Sequence, residues 1–253
     1  MKTTDQNLER HVRILIGSWF SLEGARPADD DAEDGDINVL LNCIGFVHAA
    51  AECSLTFLDA DKDNRTPRGI LARSIFELGI TCVWLSLQGP EGLAALEYEQ
   101  KRQQRALAKT LLAGPLKEKV KESAEARLGG VLGPAPKLAN QARNFEDRVA
   151  SLEAGATDLY ALYRLYSDYA HASLRLANSY VVDDGDGNLS INVPSPHNAV
   201  NDHLGTAIAP LVWAVNATDK LRHGRPLQPK LETLKMLMET GIDFTLKGEL
   251  TST

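Results

Sequence analysis

Residues 163–171, Tyr-Arg-Leu-Tyr-Ser-Asp-Tyr-Ala-His, carry four side chains whose types and spacing suit proton transfer beside an anion. Arg164 and His171 lie seven positions apart, about 20° short of two full turns at roughly 100° per residue, and Ser167 and Asp168 fall on the same helical face. An imidazole changes charge near neutral pH. Asp168, one turn earlier, can orient or charge it, and the Arg164 guanidinium can hold an anion beside it. Tyr160, Arg175 and Asn178 extend the stripe, while Leu159, Leu162, Tyr166, Tyr169, Ser173, Ala177 and Tyr180 form the opposite side. Ser167 sits in mid-helix with no glycine elbow or oxyanion hole, which is poor support for a serine nucleophile.

A second pair of charges stands at Arg73 and Glu77, four residues apart in a stretch that is otherwise apolar: Ile70, Leu71, Ile75, Phe76, Leu78, Ile80, Val83, Trp84 and Leu85. A helix apolar around most of its circumference is central and buried. Its two charges must then pair with each other or meet other polar groups. They are either a buried polar anchor, part of a functional site, or a surface ion pair.

Other motifs reduce to ordinary structure. Asp184-Gly185-Asp186-Gly187-Asn188 imitates the start of a calcium loop, but Leu189 stands where that loop needs glycine and Ser195 replaces its closing glutamate, so a hairpin turn is expected. His48, His197, His203 and His223 lack zinc-ligand spacing, and no phosphate loop or dinucleotide fingerprint is present. No metal or cofactor is expected.

The elements that must position these residues read as helices. An amphipathic segment from about Gln6 to Phe20 leads into an acidic linker, with Glu23, Asp29, Asp30, Asp31, Glu33, Asp34 and Asp36 facing one cation, Arg26. Leu40, Ile44, Val47, Ala51, Leu55 and Leu58 recur at intervals of three and four and mark a core helix from Ile37 to about Asp59, capped by Asp36. Thr66-Pro67 starts the next helix, which is expected to stop at Gly89-Pro90. Segments 91–112 and 115–128 form a more charged pair, with Lys101, Arg102, Arg105, Lys109, Lys117, Lys119 and Lys121. Helices over 137–153 and 157–180 follow. Tyr180-Val181-Val182 and Leu189-Ser190-Ile191-Asn192-Val193 then read as a hairpin, and helices over 198–221, kinked at Pro210, and 229–242 close the chain.

The sequence therefore predicts an all-α multi-helix bundle with one small β-hairpin near residues 180–193. Its organisation reads as an N-terminal helix and acidic linker (1–36), a helical core (37–182), and a hairpin with C-terminal helices packed on that core (183–253). The core is expected from the helices at 37–59, 67–87, 137–153 and 157–180, with the C-terminal helices outside.

The 253 residues are 43% hydrophobic and 24% charged, an ordinary globular composition, with a formal net charge of −7. That charge argues against sequence-blind nucleic-acid binding by the whole surface, although a local basic patch can still do so. Cys43, Cys53 and Cys82 are odd in number and form no C-x-x-C pair, which points to reduced thiols and a cytoplasmic setting. The start, Met-Lys-Thr-Thr-Asp-Gln-Asn, does not resemble a secretory signal. Stretches 70–87 and 203–218 are interrupted by Arg73 and Glu77, and by His203, Pro210 and Asn216, so no membrane span is expected.

The Arg-x-x-x-Glu helix (Leu71 to Glu77) followed by a Tyr-x-x-x-Ser-x-x-x-His helix (Tyr163, Ser167, His171) resembles an uncharacterised family of bacterial all-helical proteins, over about residues 37–180. The Arg-x6-His spacing of Arg164 and His171 is similar to the signature of HEPN-type helical proteins, many of them metal-independent ribonucleases of toxin and antiviral systems. The residue after Arg164 is Leu165, where that signature commonly has a polar residue. This second resemblance implies that Arg164 binds the scissile phosphate and His171 moves protons, in a homodimer that places both around one RNA. Three readings stay open: an RNA-binding or RNA-cleaving protein acting through His171, Arg164 and Asp168; a non-catalytic helical module, with a cognate protein partner, in which Arg73, Glu77, Tyr163, Ser167, Asp168 and His171 form a polar network; and a small-molecule enzyme whose substrate the sequence does not specify.

Overall fold

The helix apolar around its circumference is the axis of the molecule. The computed structural model describes residues 2–24, 26–29, 33–62, 65–115, 118–128, 132–153, 159–171, 174–178, 180–183, 185–186, 189–191, 204–239 and 241–247. Among them the order is α1 (Lys2–Phe20), α2 (Asp34–Asp59), α3 (Arg65–Leu112), α4 (Glu118–Leu128), α5 (Ala139–Arg143), α6 (Phe145–Ala150), β1 (Leu152–Glu153), α7 (Leu159–Ala170), α8 (Leu174–Asn178), β2 (Val181–Asp183), β3 (Leu189–Ile191), α9 (Leu204–Lys220), α10 (Gln228–Met238) and β4 (Thr245–Leu246). This is an all-α bundle, and β2 and β3 pair antiparallel as the small hairpin, with Val181 opposite Ile191.

Ala72, Ile75, Phe76, Ile80, Val83, Trp84 and Leu85 of α3 are all buried. They are covered chiefly by α2 and α9, with α5, α6 and α7 closing the remaining side. Two helices, α2 and α3, are long and apolar enough to cross a membrane by length and composition. In this fold Val39, Leu40, Val47 and Phe57 of α2 and the α3 residues above are buried in the protein's own core.

The C-terminal helix α9 is a correction to the expected core. It does not pack outside: Ala207, Ile208, Leu211, Val212, Trp213, Ala214 and Val215 are buried in the same hydrophobic cluster as α2 and α3. The N-terminal helix joins that cluster too, through Leu8, Val12, Leu15, Ile16 and Trp19. Part of the acidic linker is also fastened down: Ala28 N–H donates to Leu221 O, and Arg222, itself buried, donates to Gly24 O at 2.6 Å.

One boundary is as expected: Gly89-Pro90 interrupts the helical backbone, so α3 is two helical arms joined at a kink. Gly89 adopts φ 59°, a left-handed conformation that glycine takes at little cost, and Pro90 opens the second arm, where a missing N–H is harmless. Other differences have local causes. Asp36 does not cap α2, which begins at Asp34; both carboxylates lie in the first turn, where the helix dipole favours negative charge. At the other end of α2 the buried Arg68 donates to Phe57 O and Ala60 O at 2.8 and 3.1 Å, supplying donors to carbonyls the helix leaves open. The helix expected over 137–153 is broken at Asn144, whose side chain accepts from Glu146 N and so caps α6. A strand pair not anticipated, β1 with β4, then ties the C-terminal segment beside α6. The helix expected over 157–180 is two helices, with His171 at the bend that ends α7. His197 and His203 lie outside the described residues.

Glu99 fastens the second arm of α3 to α5. Its buried carboxylate accepts from Arg102 Nε and Nη2 at 2.6 and 2.7 Å and from Gln103 at 2.9 Å, with Arg143 Nε 3.8 Å away. The hydrogen bond from Arg102 holds this carboxyl below its ordinary value of 4.5. Because the folded state binds that proton less tightly than the unfolded chain, the stabilisation is present above the ordinary value and is lost as pH falls through the lowered one. Thermal melts from neutrality down to acid pH should show a smaller acid loss for Glu99→Gln than for wild type. Parallel curves would remove Glu99 from the acid response.

Candidate functional site: Arg73, Glu77, Tyr163 and His171

The site forms where α7 lies against α3. The ring of Tyr163 packs 4.5 Å from Phe145 and 6.4 Å from Phe76, centroid to centroid, while Tyr166 beside it is fully buried. This aromatic wedge sets the depth of α7 on α3 and leaves the Tyr163 hydroxyl at the edge. Burial pushes the Tyr166 hydroxyl well above its ordinary range, so it is no acid or base near neutral pH.

Arg73 is the hub. Its Nε donates to Glu77 Oε1 at 3.0 Å, its Nη2 lies 2.9 Å from the same oxygen and donates to Tyr163 Oη at 3.2 Å, and its Nη1 lies 2.6 Å from His171 Nε2. A guanidinium has no acceptor, so at this contact His171 Nε2 receives the hydrogen bond and the imidazole proton sits on Nδ1. His171 is exposed, whereas the Arg73 side chain is only 15% exposed and that of Glu77 39%. With Glu77 reaching water, truncating Arg73 costs nearer ~1 kcal/mol than the ~3 kcal/mol a sealed pair would lose.

The tyrosine-serine-histidine spacing and the arginine-glutamate spacing therefore converge on one place. Ser167 serves it from within the helix: its Oγ donates to Tyr163 O at 2.8 Å, and His171 N–H donates to Ser167 O at 3.2 Å. Arg164 lies on the exposed outer face of α7. It hydrogen-bonds the Tyr160 side chain, which with Asp168 and Glu146 raises its pKa, and no hydrogen bond joins it to His171 among the described residues. Asp168 is half-buried on the same flank.

Arg148 escaped the sequence reading. This buried arginine of α6 donates through Nη1 to Thr81 Oγ1 and through Nη2 to Ala142 O, each at 2.6 Å. Thr81 in turn donates to Glu77 O at 2.6 Å, so Arg148 backs the site from inside the core. Desolvation lowers its pKa to about 10, partly countered by the charges of Glu77 and Glu99. Its only sequence signal is a cation next to a buried Val149, which is too common to use.

The thiols do not belong to the site. Cys43 and Cys82 are buried and face each other across α2 and α3, and the neighbouring thiol together with burial pushes Cys43 well up. Among the described residues no three His, Cys, Asp or Glu side chains converge as a metal site requires.

No curated protein and no solved structure matches the chain. A family profile matches residues 55–188, slightly more than half of the chain and a span that holds every residue of the site. The protein belongs to the family described as "Family of unknown function (DUF5677)".

Proposed function

We propose that this protein binds RNA through a backbone phosphate and cleaves it without a metal, with His171 moving protons and Arg73, in place of Arg164, as its cationic partner. One observation carries the reading: an exposed imidazole nitrogen lies 2.6 Å from a guanidinium nitrogen. A proton on that nitrogen sets two donors face to face, and a phosphate oxygen between them relieves the repulsion. Tyr163 Oη, 3.2 Å from the guanidinium, adds a third donor at the same edge. In the step itself His171 takes the 2′-hydroxyl proton, the 2′-oxygen attacks phosphorus, the bond from phosphorus to the 5′-oxygen breaks, and the leaving 5′-oxygen takes a proton from water. The products are a 2′,3′-cyclic phosphate and a 5′-hydroxyl. The setting proposed is a cytoplasmic homodimer, with Arg164 and Asp168 flanking the site.

A second reading draws on a different observation. Arg73 already serves Glu77, Tyr163 and His171, as an arginine does when it locks two helices together. The protein would then be a non-catalytic helical module with a protein partner.

Incubation of the purified protein with mixed RNA in EDTA separates the two. Cleavage leaving cyclic phosphate ends, abolished in His171→Ala, weakened in Arg73→Lys and less affected in Arg164→Ala, is the result expected of the first. No cleavage of any RNA, with His171→Ala and Arg73→Ala both lowering the melting temperature, would establish the lock. Activity lost on chelation would overturn the mechanism.

A further inference from the structure

Charge is strongly segregated in this chain. Between Gln100 and Leu128 stand eight Lys or Arg and three Glu, a net +5, so the remainder carries −12. From Gln100 to Lys117 there is no carboxylate at all. This stretch is the end of the second arm of α3 and the helix α4 that folds back on it.

The pair projects from the bundle. Helix α4 packs on α3 and, among the described residues, makes no comparable contact with another element. Over Lys101–Leu112 and α4 the fully buried side chains are Ala108 and Ala124, so the two helices touch through alanines and leave their flanks to solvent. Lys101, Arg105 and Lys109 recur every fourth residue, which at 1.5 Å per residue places them about 6 Å apart along one ridge. Lys101 and Lys109 are exposed, and Lys119 on α4 adds another exposed cation. Arg105 reaches across to Leu128 O and so braces the pair. Glu99 holds Arg102 at the base of the ridge.

We infer that this helical pair is an RNA-binding arm, with Lys101, Lys109 and Lys119 each contacting a phosphate along a single strand. The inference deepens the RNA reading above and rests on it for the nature of the polyanion. A row of evenly spaced cations on a rigid helix matches a repeating line of charge. An anionic membrane, by contrast, calls for a continuous apolar face, and among the described residues the ridge offers only Leu107 and Val120 as exposed large hydrophobics. The arm also removes an apparent conflict, since an acidic chain can bind a polyanion when its cations are collected on one projection.

The test uses the full chain and a fluorescent 2′-O-methyl RNA of mixed sequence, about 20 nucleotides long, which cannot be cut by attack of its own 2′-oxygen. Affinity is measured by anisotropy across a salt series. Lys101→Gln/Lys109→Gln/Lys119→Gln should bind at least ~10-fold more weakly at about 50 mM salt, and its plot of log affinity against log salt should be shallower by about 2, for three lost phosphate contacts. Lys62→Gln/Lys230→Gln/Lys247→Gln, which removes three cations elsewhere, should leave both quantities within twofold of wild type.

Equal losses in the two triple variants, or none in either, would overturn the arm while leaving RNA cleavage at His171 to stand on its own assay. Loss of binding in the arm variant alongside full cleavage by His171→Ala would support the arm and sink the site. Binding of wild type to phosphatidylserine vesicles but not to the RNA would overturn both.

Discussion

Gly79→Val is expected to lower the melting temperature by about 6–12 °C, corresponding to ~3 kcal/mol of overpacking in a chain of this size. Gly79 lies where α3 crosses α9. A Cβ placed on it would stand 2.7 Å from both the carbonyl carbon and the Cβ of Pro210, and closer still to the Pro210 oxygen. Backbone cannot yield as a flexible side-chain tip does, so the helices would have to separate. That separation would propagate along a seam of small residues, because Cys82 one turn further on touches Ala214 O and Thr218 Oγ1. Gly79→Ala should show a smaller loss in the same direction. An alanine variant that melts with wild type would mean that α3 and α9 do not approach this closely.

Arg148→Ala is expected to cost ~3–4 kcal/mol, or about 6–16 °C. Truncation empties the space beneath the rings of Trp84 and Phe145, 5.4 and 5.7 Å from the guanidinium carbon, and leaves Ala142 O without its donor. Arg148→Met should be milder, since it keeps most of the volume and removes a charge whose burial is itself unfavourable. Arg148 stays charged at every pH well below about 10, so the difference in stability between wild type and Arg148→Met should not change between pH 6 and 8. A methionine variant no more stable than the alanine variant would show that the guanidinium's charge and hydrogen bonds, and not the volume it fills, hold α6 in place. Because Thr81 links Arg148 to the Glu77 backbone, Arg148→Ala should also weaken the RNA cleavage proposed for His171 in protein that remains folded.

The arrangement gives each charged group near the core a different degree of compensation. Arg68 satisfies helix-end carbonyls, Arg73 divides its donors among three partners, and Arg148 keeps a buried Nε without a hydrogen-bond partner. The most exposed partner in this set is His171, which is where a ligand can enter without opening the bundle.

Helical periodicity in the sequence was enough to identify α3 as the buried axis, to set Arg73 one turn from Glu77, and to place Tyr163 and Ser167 along the helix that His171 ends. Alternation around an Asp-Gly turn was enough for the β2–β3 hairpin. These are local properties, read from the angular position of each side chain on its own element. The break in α3 at Gly89-Pro90 was legible too, whereas Asn144 was not, because it ends one helix by capping the next. Helix α9 was placed outside the core because its pattern, interrupted by Pro210 and Asn216, does not reveal that glycine on a distant helix makes room for that proline. The choice of arginine for His171 is the clearest case. Arg164 is seven residues before His171, on the helix whose end His171 marks, whereas Arg73 is 98 residues away and is the one that meets it. Periodicity fixes the direction in which a side chain leaves its own helix. Only the packing of Tyr163 and Tyr166 against Phe76 and Phe145, a matter of volume filled between elements far apart in the chain, determines which guanidinium stands in that direction.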